Sequence, residues 1–137
     1  FGAPLPLADA PTAAVRAALE MHDMVALLNA DRQRDCKAAI AIGVGIATGE
    51  VFAGYTGTQQ RATYTCIGDT VNLAARLEAL TMAAGRGILI DGATRAGLSG
   101  TVSTAAATQA LGEVALKGKS APTAVFSVCV GDEDRRT

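Results

Sequence analysis

The sequence predicts an α+β fold in which helices pack against a mixed or antiparallel sheet. Apolar residues recur at three- and four-residue steps between Pro11 and Asn29, which is the spacing of one helix face. Branched and small residues alternate between Ala39 and Ala47, which is the period of a strand. Turn residues then separate several short apolar segments, so we expect hairpins and antiparallel neighbours.

Composition indicates one compact domain that does not bind nucleic acid. The 137 residues, half of them apolar, fit a single domain, which we assign to residues 1–130 with a charged tail at 131–137. A net charge of −1 provides no basic surface for nucleic-acid phosphates, and 4% aromatic residues provide few side chains on which bases could stack. Three irregularly spaced cysteines favour reduced thiols in the cytoplasm, and the longest apolar run, 38–47, is too short to span a membrane.

The first half of the chain predicts a helix and two strands. The apolar residues of the helix form one buried stripe: Val15, Ala18, Leu19, Met21, Val25 and Leu28. His22 lies beside this stripe and is assigned no role. In the strand over 39–47, the face that carries Gly43 and Gly45 must lie against a helix or another backbone. Thr48-Gly49 predicts a tight turn into a partner strand over about 50–57.

The second half predicts a short strand, two helices and three more strands. A segment over 62–67 is extended, and a helix follows over 70–84 with Asp69 as its N-cap. The core stripe of this helix is Leu73, Leu77 and Leu80, and glycines end it. The remaining expected elements are a strand over 87–90, a helix capped by Asp91, and strands over 112–116 and 123–130 that bracket a lysine turn.

Asn72 and Arg76 are the residue pair that most suggests chemistry. Their spacing places an amide and a guanidinium on one helix face, and Ala75 and Ala79 beside them allow a bulky object to approach. A planar guanidinium can meet two phosphoryl oxygens at once. By itself, such a pair is more often an ordinary solvated helix face.

The segment around this pair, Tyr64-Thr65-Cys66-Ile67-Gly68-Asp69-Thr70-Val71-Asn72-Leu73-Ala74-Ala75-Arg76-Leu77-Glu78, resembles the signature of class III nucleotidyl cyclases. Three further segments resemble other parts of that family in the same order: Phe1–Pro4, Gly43–Val51 and Leu111–Lys119. The resemblance covers nearly the whole chain and implies a ferredoxin-like cyclase fold that lacks its first strands and helices.

The resemblance also implies roles for individual residues in converting ATP to cyclic AMP and pyrophosphate. Asn72 would orient the ribose, Arg76 would stabilise the transition state, and Lys117 would bind the triphosphate. Thr65 falls where the family reads the purine, and its hydroxyl can both donate to and accept from adenine. Cys66 and Ile67 would line the purine pocket.

Class III cyclases use two Mg²⁺ or Mn²⁺ ions and act as head-to-tail homodimers with sites at the interface. The family's two metal-binding aspartates would lie upstream of Phe1, while Asp9, Asp69 and Asp91 are better explained as loop and cap residues. We therefore expect this chain by itself to bind metal–ATP poorly and not to turn over. A guanylate cyclase and a non-catalytic, cyclase-like regulatory or dimerisation domain stay open as alternatives.

Overall fold

A computed structural model describes residues 1–3, 5–104, 107–115 and 121–130 of the protein. Its helices and strands are, in chain order, α1 (Ala10–Arg34), β1 (Val44–Ile46), β2 (Phe52–Thr58), β3 (Arg61–Ile67), α2 (Asp69–Ala84), β4 (Ile88–Asp91), α3 (Gly92–Ala96), a 3₁₀ turn (Gly100–Ser103), β5 (Thr108–Val114) and β6 (Thr123–Val128). The predicted lysine turn and the charged tail lie outside the described residues.

The strands form two separate sheets. The larger sheet has the order β1-β4-β6-β5, in which β1 and β4 are parallel and β6 runs antiparallel to both of its neighbours. The smaller sheet is an antiparallel ribbon of β2 and β3, joined by a turn between Thr58 and Arg61. Helices packed on a mixed sheet confirm the predicted α+β class.

The core lies on both faces of β4, all four residues of which are buried. Ile88 and Ile90 point to one face and pack with Val15 and Ala18 of α1. Leu89 points to the other face and packs with the stripe of α2, whose buried members include Leu73 and Leu77. The two helices therefore cover opposite faces of the sheet, and the predicted stripe of α2 is confirmed.

Two glycines allow α2 to lie directly against β1. A Cβ added to Gly45 would overlap the backbone oxygen of Ala74 and the backbone nitrogen of Glu78, both in α2. A Cβ added to Gly43 would overlap the hydroxyl group of Thr81. The prediction that the small face of this segment contacts a helix closely is confirmed.

The helix α1 is longer than predicted, and the strand that follows it is shorter. Side chains of the helix form hydrogen bonds with backbone groups before β1. Asn29 Nδ2 donates to Ile40 O and Ile40 N donates to Asn29 Oδ1, each at 2.8 Å, and Arg32 Nε donates to Ala38 O at 2.7 Å. These backbone groups join no ladder, so the strand begins at Val44 and not at Ala39.

Parts of the predicted helix stripe are wrong. Met21 and Leu28 are exposed. The buried residues of α1 (Thr12, Val15 and Ala18) all lie in its first half, so the buried stripe does not extend along the whole helix. His22 Nε2 donates a hydrogen bond to Gly87 O at 3.0 Å, and this contact ties α1 to the residue before β4.

The predicted hairpin between residues 39–47 and 50–57 is also wrong. β1 pairs in parallel with β4, and β2 pairs with β3. The Thr48 hydroxyl is hydrogen-bonded to the Thr94 hydroxyl of α3, and the carbonyl of Glu50 accepts from the Thr70 hydroxyl of α2. These bonds lead the chain out of the larger sheet, so it does not fold back along β1.

The ends of the shorter helices agree only in part with the sequence. Gly68, with φ of 141°, occupies the N-cap of α2, so Asp69 is the first helical residue and not the cap. Its carboxylate still lies at the positive end of the helix dipole. Gly85, in the left-handed conformation, ends α2 as predicted, and Asp91 caps α3 by accepting from Thr94 N at 2.9 Å. None of the described helices has both the length and the apolar character needed to cross a bilayer.

Replacing Gly45 with alanine should destabilise the fold. The added methyl group meets helix backbone, which has no rotamer to change, so we expect a loss of about 1–3 kcal/mol in the free energy of unfolding. Gly54→Ala is the matched control, because a Cβ there has no neighbour within 4 Å. Urea denaturation of the two variants checks this, and equal midpoints would contradict the close contact.

The Asp9 carboxylate should make the free energy of unfolding depend on pH in the acid range. Hydrogen bonds from Ser99 and then Thr12 lower the pKa of Asp9 below its ordinary value of 3.8. A lowered folded-state pKa stabilises the fold above the ordinary value, and this stabilisation is lost as pH falls through the folded-state value. Ser99→Ala should therefore lose stability at neutral pH, and its difference from the wild type should shrink as pH falls below about 4.

Denaturation at a series of pH values measures the difference between the wild type and Ser99→Ala. Ser103→Ala serves as the control, because the Ser103 hydroxyl donates to the Gly100 carbonyl and not to a carboxylate. A Ser99→Ala difference that stays constant down to acid pH would rule out the link to Asp9.

Candidate functional site

Helix α2 presents Asn72 and Arg76 one turn apart on its exposed face. Leu73 and Leu77, the next residue in each case, are 3% and 0% exposed and anchor the helix to the sheet. The 3.6-residue period then turns the amide and the guanidinium outwards. Ala75 and Ala79 are exposed as well, so small side chains flank the two polar groups and leave them accessible.

Strand β3 places the three predicted purine-binding residues immediately before α2. Thr65 is half-buried and lies opposite Gly54 of β2, which has no side chain to cover it. Ile67, on the same face of the ribbon as Thr65, is 60% exposed, whereas Cys66 is an exposed free thiol on the other face. Thr65 and Ile67 can therefore contact one ligand by their side chains, and Cys66 would have to do so through its backbone.

Gly68 is the single residue that joins β3 to α2. Its φ of 141° lets the chain turn from a strand directly into a helix, and its carbonyl accepts from Asn72 N at 3.2 Å. The predicted purine-binding residues at the end of β3 and Asn72 in the first turn of α2 are consequently held on either side of Gly68. The structure brings these groups together, whereas Lys117 lies outside the described residues.

A broad cavity among the described residues lies away from the predicted site residues. It has a volume of about 1110 Å³ and is lined by the second half of α1, residues 39–43 and the last turns of α2. None of the predicted site residues lines it. The site on α2 and β3 is thus an open surface in a single chain.

Three contacts beside the site were not predicted from the sequence. Thr70 Oγ1 donates to Glu50 O at 2.9 Å, Thr48 Oγ1 lies 2.8 Å from Thr94 Oγ1, and Thr48 N lies 3.4 Å from the Asp91 carboxylate. The partners are between 20 and 46 residues apart along the chain, so no local pattern could have revealed them. Only the capping role of Asp91 carried a signal in the sequence.

The described residues do not form a ligand set for the two metal ions that the resemblance implies. Within the ranges that the structure covers, no group of three or more histidine, cysteine, aspartate or glutamate side chains could hold a metal ion. No chemical step is therefore assigned to a metal ion bound by these residues.

Comparison with known proteins gives a consistent result. Residues 2–128 match the sequence model of the family described as the adenylate and guanylate cyclase catalytic domain. The chain is 31% identical over 125 residues to adenylate cyclase 1 of Rhizobium meliloti, and 34% identical over 124 residues to the terminal-differentiation-specific adenylate cyclase of Dictyostelium discoideum. Each match covers 90% of this chain, but only 18% and 6% of those much longer relatives.

Two solved structures share the fold over almost the whole chain. The adenylyl cyclase CyaB of P. aeruginosa has a TM-score of 0.78, and the guanylyl cyclase Cya2 has a TM-score of 0.77, each at 29% sequence identity. These alignments cover 94% and 96% of this chain and 64% of each neighbour. The cyclase fold expected from the sequence is thereby confirmed, and the chain belongs to the adenylate and guanylate cyclase catalytic domain family.

Proposed function

We propose that the chain is part of the catalytic domain of an adenylate cyclase, a lyase that converts ATP to 3′,5′-cyclic AMP and pyrophosphate for signal transduction. The observation that carries this proposal is the exposed pair of Asn72 and Arg76 on α2, next to a strand that ends in Thr65, Cys66 and Ile67. Two adenylate cyclases among the relatives support the choice of reaction. The reaction would take place in the cytoplasm.

In the proposed reaction the ribose 3′-hydroxyl attacks the α-phosphorus while pyrophosphate leaves. Negative charge grows on the phosphoryl oxygens, so the main tasks of the protein are positioning and electrostatic stabilisation. Arg76 supplies a fixed positive charge whose planar donors match two oxygens. Asn72, one turn earlier, hydrogen-bonds the ribose and aims its hydroxyl, and Lys117 holds the β- and γ-phosphates.

We further propose that the site is completed in a head-to-tail homodimer. In the single chain, the face of α2 that carries Asn72 and Arg76 is open, and Phe52 and Ile67 of the ribbon are 80% and 60% exposed. These apolar side chains are paired across the ribbon, so they form a continuous patch that a second copy could cover. The Mg²⁺ or Mn²⁺ ions would then be held by residues other than those described, and the isolated chain would be inactive.

A guanylate cyclase is the second candidate, because a guanylyl cyclase is as similar in fold as an adenylyl cyclase. Thr65 favours ATP, since its hydroxyl can both donate and accept at the adenine edge. A non-catalytic, cyclase-like domain is the third candidate and predicts no turnover with either nucleotide.

Arg76→Ala should abolish most of the activity of the complete protein that contains this chain. An arginine that contacts transferring phosphoryl groups can contribute ~10³-fold or more to the rate, which corresponds to several kcal/mol. Steady-state formation of cyclic AMP from ATP measures this effect. Arg76→Lys should recover only part of the rate, because lysine keeps the charge and loses the planar fork.

Arg34→Ala is the matched control for the loss of an arginine. Arg34 lies in the last turn of α1 and forms an exposed ion pair with Asp31, so it should leave turnover unchanged. If Arg76→Ala retained turnover within twofold of the wild type, Arg76 would have no part in the reaction.

Thr65→Ala should weaken the preference for ATP. Loss of one hydrogen bond to adenine should lower kcat/KM for ATP about tenfold, with a smaller change for GTP. Parallel assays with both nucleotides measure the preference. Thr63→Ala, an exposed threonine on the same strand, is the control and should change neither value. A wild-type protein that prefers GTP would favour the guanylate cyclase instead.

A further inference from the structure

We propose that the hydroxyl groups of Thr48, Thr70 and Thr94, together with the Asp91 carboxylate, position the first turn of α2 and thereby aim Asn72. We call this set of hydrogen-bonded groups the threonine linkage. Its effect on catalysis rests on the proposed function, whereas its hydrogen bonds do not depend on that function. None of its members touches the substrate in the proposed reaction, so they act as positioning residues.

The linkage starts from a buried anchor at the end of β4. Asp91 and Thr94 are 4% and 0% exposed, and Asp91 Oδ1 accepts from Thr94 N at 2.9 Å and from Thr94 Oγ1 at 2.6 Å. The hydroxyl proton of Thr94 is used in that bond. Its oxygen must therefore accept the proton of Thr48 Oγ1, 2.8 Å away, which fixes the direction of the chain of hydrogen bonds.

The linkage then reaches α2 through the turn at residues 48–50. Thr70 Oγ1 donates to Glu50 O at 2.9 Å, and Thr48 N donates to Asp91 Oδ1 at 3.4 Å. The turn also fits tightly: a Cβ added to Gly49 would lie 2.5 Å from Thr70 Oγ1. Only a glycine at this point lets the turn approach the helix closely enough for the hydrogen bond to form.

The last step connects Thr70 to Asn72. Thr70 is the second residue of α2, and the backbone N–H of Asn72 makes the first hydrogen bond of the helix, to Gly68 O. The first turn of a helix frays easily unless something outside the helix holds it. Here the Thr70 hydroxyl ties that turn to the turn at 48–50 and, through it, to the buried anchor. A shift of this first turn would move the Asn72 amide directly.

The test replaces Thr70 with valine in the complete protein that contains this chain. Valine keeps the shape of threonine and removes the hydrogen-bond donor. We expect kcat with ATP to fall about 10- to 100-fold and KM to change less than about twofold, because misaimed groups slow the chemical step more than they weaken binding. Thr70→Ser restores the donor and should recover most of kcat.

Thr104→Val is the matched control for the loss of a threonine hydroxyl. Thr104 is exposed, follows the 3₁₀ turn, and donates from Oγ1 to the carbonyl of Thr101 at 3.1 Å, so the same kind of bond is removed from a different element. This variant should keep the kcat of the wild type.

Hydrogen exchange on the present chain provides a second measurement that does not depend on activity. In Thr70→Val the amide of Asn72 should exchange several-fold faster, while the amides of Leu89 and Ile90 in the buried strand β4 should keep their rates. Inactivity of the wild type would remove the proposed function, and the local change in exchange would still decide whether the linkage exists.

Four results would overturn the proposal. These are an unchanged kcat in Thr70→Val, a loss of kcat that Thr70→Ser does not recover, an unchanged exchange rate of the Asn72 amide in Thr70→Val, and faster exchange throughout β4. The last result would mean that Thr70 only contributes to global stability.

Discussion

The direct contact between α2 and β1 is the constraint on which the rest of the structure depends. Gly45 lets helix backbone meet strand backbone, and any side chain there would push α2 away from the sheet. Once α2 lies this close, Leu73 and Leu77 reach the core around Leu89, and the helix has one possible rotation about its axis. The exposed direction of Asn72 and Arg76 follows from that rotation and not from any contact of their own.

The described chain has one well-packed region and one open region. Around β4, apolar residues from both helices exclude water on both faces of the sheet. The ribbon of β2 and β3 instead exposes Phe52 and Tyr55. Across the ribbon, the rings of Tyr55 and Tyr64 pack edge-on with their centroids 5.2 Å apart. Such a ribbon is marginally stable by itself, so a covering surface would contribute both to its stability and to the proposed site.

The features that the sequence predicted correctly depend mainly on neighbouring residues, whereas most of those it missed depend on contacts between distant ones. The stripe of α2 and the cap at Asp91 follow from local periodicity and side-chain chemistry, and both are confirmed. The pairing of β1 with β4 joins residues 44 apart along the chain, and the alternation of residues 39–47 cannot tell a parallel partner from a hairpin partner. The Asn29 bonds to Ile40 likewise shortened the strand through contacts that no strand pattern contains.

The same distinction explains how the candidate site could be found and what was missing from it. Asn72 and Arg76 stand out because their spacing is a local property of one helix. Their orientation, however, needs two fixed points on that helix, since a single point would leave it free to tilt. The glycine contact at Gly45 fixes the middle of α2, and Thr70 fixes its start. Both points come from residues 48–50 and the strand before them, so one short segment of the chain determines where the polar face of α2 is aimed.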